Sequence, residues 1–202
     1  EQSGFINDLG FETYHKILDD AIQELKETEF KELFASELTQ KARLIVQDCT
    51  IETDLEILIP EWYVSNISER LQLYSRLDNI KEEGELAAFI DELRDRFGEP
   101  PPPVHELNQS VRLRWLAEQA GFERIVLKND VMKGFFTTAR PEYFSSPVFG
   151  KILSYIKAHP RTCRLREQSG KALVIVEHVR EVSAAIQVIR HMLEIDVEAL
   201  IR

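Results

Sequence analysis

The chain is 202 residues long, 44% hydrophobic and 30% charged, with a formal net charge of −10; this suits one ordinary domain with an appendage, or two small ones, and supplies a real core. No apolar run approaches the roughly 18 residues that a membrane span needs. The charge is uneven, with 24 acids against 10 Lys and Arg in residues 1–102 and 11 against 15 in residues 103–202, which argues against a general grip on phosphates and leaves a surface suited to a basic protein patch or to solvent.

Along the chain, Tyr14, Ile17, Leu18, Ala21, Ile22 and Leu25 recur at three- and four-residue steps, so residues 11–27 read as an amphipathic helix. A short helix is expected over 30–40. Residues 43–59 are rich in Leu, Ile and Val, and Leu55, Ile57 and Ile59 would share one strand face. Pro60 would end that strand by removing a ladder donor. Asn66 and Glu69 have capping-box spacing, and the helix they start places Ile67, Leu71, Tyr74 and Leu77 on one stripe. The next helix, about 84–97, should bury Leu86, Phe89, Ile90, Leu93 and Phe97. Gly98 and Pro100 stop it.

Pro100 to Pro103 read as a stiff connector that sets the first turn of a third helix carrying Val104, Leu107, Val111 and Trp115 or Leu116, closed by Gly121. Strands at 125–127 and 131–136 flank Asn129-Asp130, a two-residue hairpin turn. Ser146-Pro147 starts a helix with Val148, Ile152, Tyr155 and Ile156 on its buried face. Two further strands surround Gln168-Ser169-Gly170, and a last helix near 180–198 aligns Val182, Ile186, Ile189 and Leu193. The fold class is α+β: a helical amino-terminal connector, then a mixed α/β domain with a small, largely antiparallel sheet packed by helices.

Chemistry is hard to find. No Gly-x4-Gly-Lys-Ser/Thr phosphate loop is present, and the five histidines show no metal-ligand spacing. Cys49 and Cys163 stand 114 positions apart and read as buried small hydrophobes of a reduced, cytoplasmic protein. Glu1 is followed by no basic, apolar signal segment, so a piece of a longer polypeptide is expected. Arg161, Arg164 and Arg166 form the one basic cluster; Arg164 and Arg166 share a strand face, either as phosphate contacts or as a solvated face paired with Glu. Opposite Phe89, Leu93 and Phe97, the second helix carries Glu85, Glu92, Asp95 and Arg96. Glu92 and Arg96 are one turn apart, and as an intrahelical ion pair they would contribute about 0.2–0.5 kcal/mol.

Three motifs lie between 60 and 98: Pro60-Glu61-Trp62-Tyr63-Val64, Arg70-Leu71-Gln72-Leu73-Tyr74 and Glu92-Leu93-Arg94-Asp95-Arg96-Phe97-Gly98. Together they resemble the C-terminal (TRCF) domain of the bacterial transcription-repair coupling factors. The opening Gln2-Ser3-Gly4-Phe5-Ile6-Asn7, with Gly10-Phe11-Glu12 and Tyr14, is similar to the segment that joins their helicase motor to that domain. The family pattern departs here at Trp62, where an acidic or small residue is more usual, and at Ser65-Asn66, which replaces Pro-Asp. The resemblance implies a helical linker over 1–45 and a TRCF-type domain over 46–202. It implies no catalytic residue and no cofactor in this piece, ATP and Mg being bound by the motor elsewhere.

It further implies an autoinhibitory clamp, in which the domain folds back on the UvrA-binding region of the same polypeptide. Glu92, supported by Asp95 and Arg96, would make the charged contacts. UvrA, RNA polymerase and duplex DNA would be partners through the full-length protein, with no membrane role. The alternative is an accessory DNA-contacting domain that uses the arginines near 161–166.

Overall fold

The computed structural model describes residues 48–194, so the helices expected over 11–27 and 30–40 and the proposed linker 1–45 lie outside the described residues. In chain order the elements are β1 (Thr50–Thr53), α1 (Ile67–Asn79), α2 (Glu83–Phe97), α3 (Pro102–Ala120), β2 (Phe122–Lys128), β3 (Val131–Phe136), a 3-10 turn (Pro141–Ser145), α4 (Pro147–Ala158), β4 (Cys163–Gln168), β5 (Lys171–Glu177) and α5 (Val182–Glu194). The strands form one sheet in the order β1-β2-β3-β5-β4. Three of its pairings are antiparallel, and β1 runs parallel to β2 with Ile51 opposite Ile125. A parallel pair needs a long connection; α1, α2 and α3 provide it. This is the expected α+β fold with a largely antiparallel sheet.

The local signals explain most boundaries. Asn66 accepts a hydrogen bond from the Glu69 backbone N–H and caps α1, and Ser146 does the same for α4 from Phe149. Gly98 ends α2 with φ 85°, and Gly121 ends α3 in the left-handed region with φ 83°, where a residue without Cβ escapes steric penalty. Asn129 and Asp130, both at positive φ, turn β2 into β3; Ser169 and Gly170 turn β4 into β5.

Two sequence expectations need correction. Among the described residues the strand expected within 43–59 is Thr50–Thr53, and the chain beyond it leaves the sheet. Ile59 is buried instead against α1, α2 and α3, and its N–H goes to the Tyr74 hydroxyl at 2.7 Å rather than to a strand. On α1 the buried residues are Leu73 and Leu77, while Ile67 and Leu71 are exposed. The 59–64 segment and α2 approach α1 from the side of Leu73, so the apolar stripe read from spacing is only half used.

Two cores share α3. Val104, Leu107 and Val111 pack with Ile59, Tyr63, Val64, Leu73, Leu77, Leu86, Phe89 and Leu93 in a helical core. Leu113, Ala117 and Ala120, farther along the helix, pack with the inner face of the sheet and with α4 and α5. The helical hairpin α1–α2 is thereby fixed to the sheet through one rigid wall.

Candidate protein-interaction site

The hairpin presents the expected site residues. Helix α2 has Leu86, Phe89 and Leu93 on its buried stripe, which leaves Glu92, Asp95 and Arg96 on the outward side. Glu92 is held at two points by Arg76 of α1: Nη1 donates to Oε1 at 2.8 Å and Nη2 to Oε2 at 2.6 Å. Arg96 donates to the same Oε1 at 3.1 Å, which is the intrahelical pair expected from spacing. The other Nη of Arg96 reaches Glu69 at the start of α1. A four-member chain, Glu69–Arg96–Glu92–Arg76, thus laces the two antiparallel helices across their outer surface. Its guanidiniums also lie over aromatic faces, Arg76 at 5.5 Å from the Phe89 centroid and Arg96 at 4.8 Å from that of Phe97.

The electrostatic consequence falls on Glu92. Its hydrogen bonds from Arg76, reinforced by those from Arg96, hold the carboxyl down to about 2. Arg76 is raised in turn by its bond to Glu92. Asp95 is exposed and forms no ion pair among the described residues. Glu92 and Arg96 are therefore brought together, and Asp95 stands apart from them.

The three motifs converge on one end of this hairpin. The Tyr63 hydroxyl is shared between the carbonyls of Gly98 (2.8 Å) and Leu93 (3.2 Å), and its ring meets Phe97 edge-on at 5.8 Å. Arg70 donates to the carbonyls of Val64 (2.6 Å) and Ser65 (3.2 Å), and Tyr74 anchors Ile59 from the same helix face. First motif, second motif and helix stop form a single knot, whose members satisfy backbone groups that would otherwise lack partners.

The family model for the TRCF domain matches residues 53–145, which include this knot and the whole hairpin. That stretch is a TRCF domain. The chain is 37% identical over 125 residues to the transcription-repair-coupling factor of Haemophilus influenzae and 32% identical over 125 residues to that of Escherichia coli, in each case 62% of this chain and 10% of the relative. It is 27% identical over 166 residues to the Rickettsia typhi protein of the same name, 82% of this chain and 13% of that one. The chain spans about a tenth of the length of the curated relatives it matches. The crystal structure of the C-terminal domain of a transcription-repair coupling factor matches with a TM-score of 0.58 at 15% identity, over 76% of this chain and 92% of that one; the fold is shared.

Beside the hairpin, the TRCF domain holds a charged group that sequence reasoning missed. Arg114 of α3 pairs with Asp78 at 2.6 Å, and Glu118, one turn further along, is 8% exposed. Burial pushes the Glu118 carboxyl up to about 7, against the pull of Lys81 and Arg114 and with the help of Asp48 and Asp78. Position 118 shares the helix face of Leu107 and Val111, which was the available signal. Burial also raises the thiols of Cys49 and Cys163, both free. The basic strand face is partly spent: Arg164 is paired with Glu177 across β4–β5, whereas Arg166 is exposed. Among the described residues no cluster of His, Cys, Asp and Glu is placed to hold a metal ion, and no helix is long and apolar enough to cross a membrane.

Proposed function

We propose that this TRCF domain is a non-catalytic regulatory module of a transcription-repair coupling factor, acting as an autoinhibitory clamp on the UvrA-binding region of the same polypeptide. The observation that carries this reading is the half-exposed Glu69–Arg96–Glu92–Arg76 chain on α1 and α2. A latch must hold at rest and release on a modest perturbation, and a coupling of about 1–3 kcal/mol suits that task. Charged groups already paired at a surface can exchange partners at little net cost, and they leave no adhesive patch when the latch opens. Arg76 and Arg96 keep Glu92 ionised and oriented. In the closed state a cationic side chain of the partner would share the Glu92 carboxylate, and exposed Asp95 would add a second acid one turn from Asp91.

ATP and Mg chemistry belongs, on this reading, to the motor of the full-length protein, and UvrA, RNA polymerase and duplex DNA are reached through it. The pairing of Arg164 with Glu177 favours the clamp over direct DNA contact. Titration calorimetry of this chain against the UvrA-binding region, at two salt concentrations, tests the proposal. Micromolar binding that weakens with salt and is lost in Glu92→Ala supports it. Binding unchanged by Glu92→Ala removes Glu92 from the latch, and no binding at either salt removes the clamp.

A further inference from the structure

Six large hydrophobic side chains are exposed among the described residues, and four of them, Leu58, Trp62, Ile67 and Leu71, fall within fourteen positions. Trp62 is 75% exposed and Ile67 56%, far more than helix and loop residues beside a core usually leave in water. Ile67 and Leu71 are one turn apart on the outer side of α1. Tyr74, the next residue of that stripe, accepts the N–H of Ile59, which draws the Leu58 segment against the same helix. Trp62 flanks the strip from the turn that carries Tyr63, its ring edge-on to Tyr63 at 6.2 Å. Four exposed apolar side chains grouped on one side of α1 and on the segment tied to it mark a candidate interaction surface.

The surroundings select the partner. Residues 48–71 contain six acids, Asp48, Glu52, Asp54, Glu56, Glu61 and Glu69, and a single Lys or Arg. That cation, Arg70, is turned onto the carbonyls of Val64 and Ser65. Glu52 and Glu69 are already neutralised, by Arg124 and Arg96. Glu56 and Glu61 stand within two residues of Leu58 and Trp62 in the chain, are exposed, and form no ion pair among the described residues. An apolar strip with an uncompensated acidic border complements a cationic, amphipathic segment, and a strip that runs along a helix is matched by the ridge of a second helix.

We infer that the strip of Leu58, Trp62, Ile67 and Leu71 is a docking site for a basic amphipathic helix of a protein partner, its apolar side chains seated on the strip and its Lys or Arg side chains against Glu56 and Glu61. This goes beyond the clamp reading and does not depend on Glu92 or on the partner's lying in the same polypeptide.

The test is calorimetry of the 202-residue chain with a synthetic helix of about 18 residues, with leucines at every third and fourth position and lysines on both flanks, beside a matched peptide with Glu in place of each Lys. The Lys peptide is expected to bind with micromolar affinity and to shift the emission of exposed Trp62 to the blue. Ile67→Ser with Leu71→Ser should weaken it at least about tenfold, and Glu56→Gln with Glu61→Gln should remove most of its salt dependence. All four side chains are exposed or carry no ion pair, so folding is not at stake, and the unchanged circular dichroism of each variant will verify this. Equal binding by the Glu peptide, or undiminished binding by the Ile67→Ser/Leu71→Ser variant, overturns the inference, as does the absence of binding at millimolar peptide. Those outcomes leave the Glu92 calorimetry untouched, so the two readings fail separately.

Discussion

Arg76 near the end of α1 and Glu92 in α2 meet as a two-point ion pair, Nη1 donating to Oε1 at 2.8 Å and Nη2 to Oε2 at 2.6 Å. The geometry is that of the strongest class of side-chain hydrogen bond, yet both groups remain in contact with water, with side-chain exposures of 50% and 34%. Solvent screening reduces such a pair to about 0.5–1 kcal/mol. The pair orients two helices more than it stabilises them.

Glu92→Gln should therefore lower the unfolding free energy by about 0.5–1 kcal/mol at pH 7, measured by urea denaturation. The pH dependence has a definite sign. The folded-state carboxyl lies at about 2, below its ordinary 4.5, so the native state binds fewer protons than the unfolded chain in this interval. The contribution is complete above about pH 4.5 and is lost as pH falls towards 2. The difference between wild type and Glu92→Gln should close over that window.

Tyr63→Phe tests the knot. The substitution keeps the ring against Phe97 and removes the hydroxyl that serves the Gly98 and Leu93 carbonyls. A loss of about 1–2 kcal/mol is expected, since one buried acceptor is left without its partner. Hydrogen exchange should speed up in the last turn of α2, where the Gly98 N–H is bonded to the Arg94 carbonyl at 3.0 Å, while amides in β3 and β5 stay protected.

How much of this was legible in the sequence differs by element. The caps at Asn66 and Ser146, the stops at Gly98 and Gly121 and the Asn129-Asp130 turn are local rules, and each stands where the residues indicated. The short β1 and the exposure of Ile67 and Leu71 were not legible, because both depend on which neighbours arrive: 54–59 is apolar enough for a strand but is drawn to the helical core. At the site, spacing exposed the Glu92–Arg96 pair, one turn apart. The bonds from Arg76 and Glu69 join residues 16 and 27 positions away, and no periodicity reports those. The motifs, too, have a structural content that pattern alone conceals, since Tyr63, Arg70, Tyr74 and Gly98 hold one another.

The two helix-stop glycines should respond differently to alanine. A Cβ at Gly98 would meet nothing within 4 Å, so the cost is that of its backbone alone, φ 85° with ψ −172°, a region essentially reserved for glycine and worth about 1–3 kcal/mol. At Gly121 the backbone is left-handed, with φ 83° and ψ 23°, a milder conformation for a side chain, but the added carbon would overlap the Tyr143 ring. That ring cannot withdraw cheaply: it is buried, its hydroxyl donates to the Ala120 carbonyl at 2.5 Å, and it packs against Phe136 and Phe149. Gly121→Ala should cost about 3 kcal/mol or more, read as a larger fall in thermal midpoint than that of Gly98→Ala.

Glu118 gives the opposite pH behaviour to Glu92. Its carboxyl, buried between α3 and the charged groups Arg114, Lys81, Asp78 and Asp48, rises from an ordinary 4.5 to about 7. The native state then binds more protons than the unfolded chain between those values, so the contribution of this carboxyl to stability is complete below about pH 4.5 and is lost as pH rises through 7. Arg114 is committed to Asp78 and cannot fully compensate a second carboxylate. Glu118→Gln keeps the shape and the hydrogen-bonding capacity and removes the ionisation, so it should stabilise the domain by about 1–3 kcal/mol at pH 8 and change little at pH 5. Thermal melts across pH 5–9 will decide the matter: a wild-type decline that Glu118→Gln abolishes assigns it to this carboxyl, and parallel profiles place the titration elsewhere.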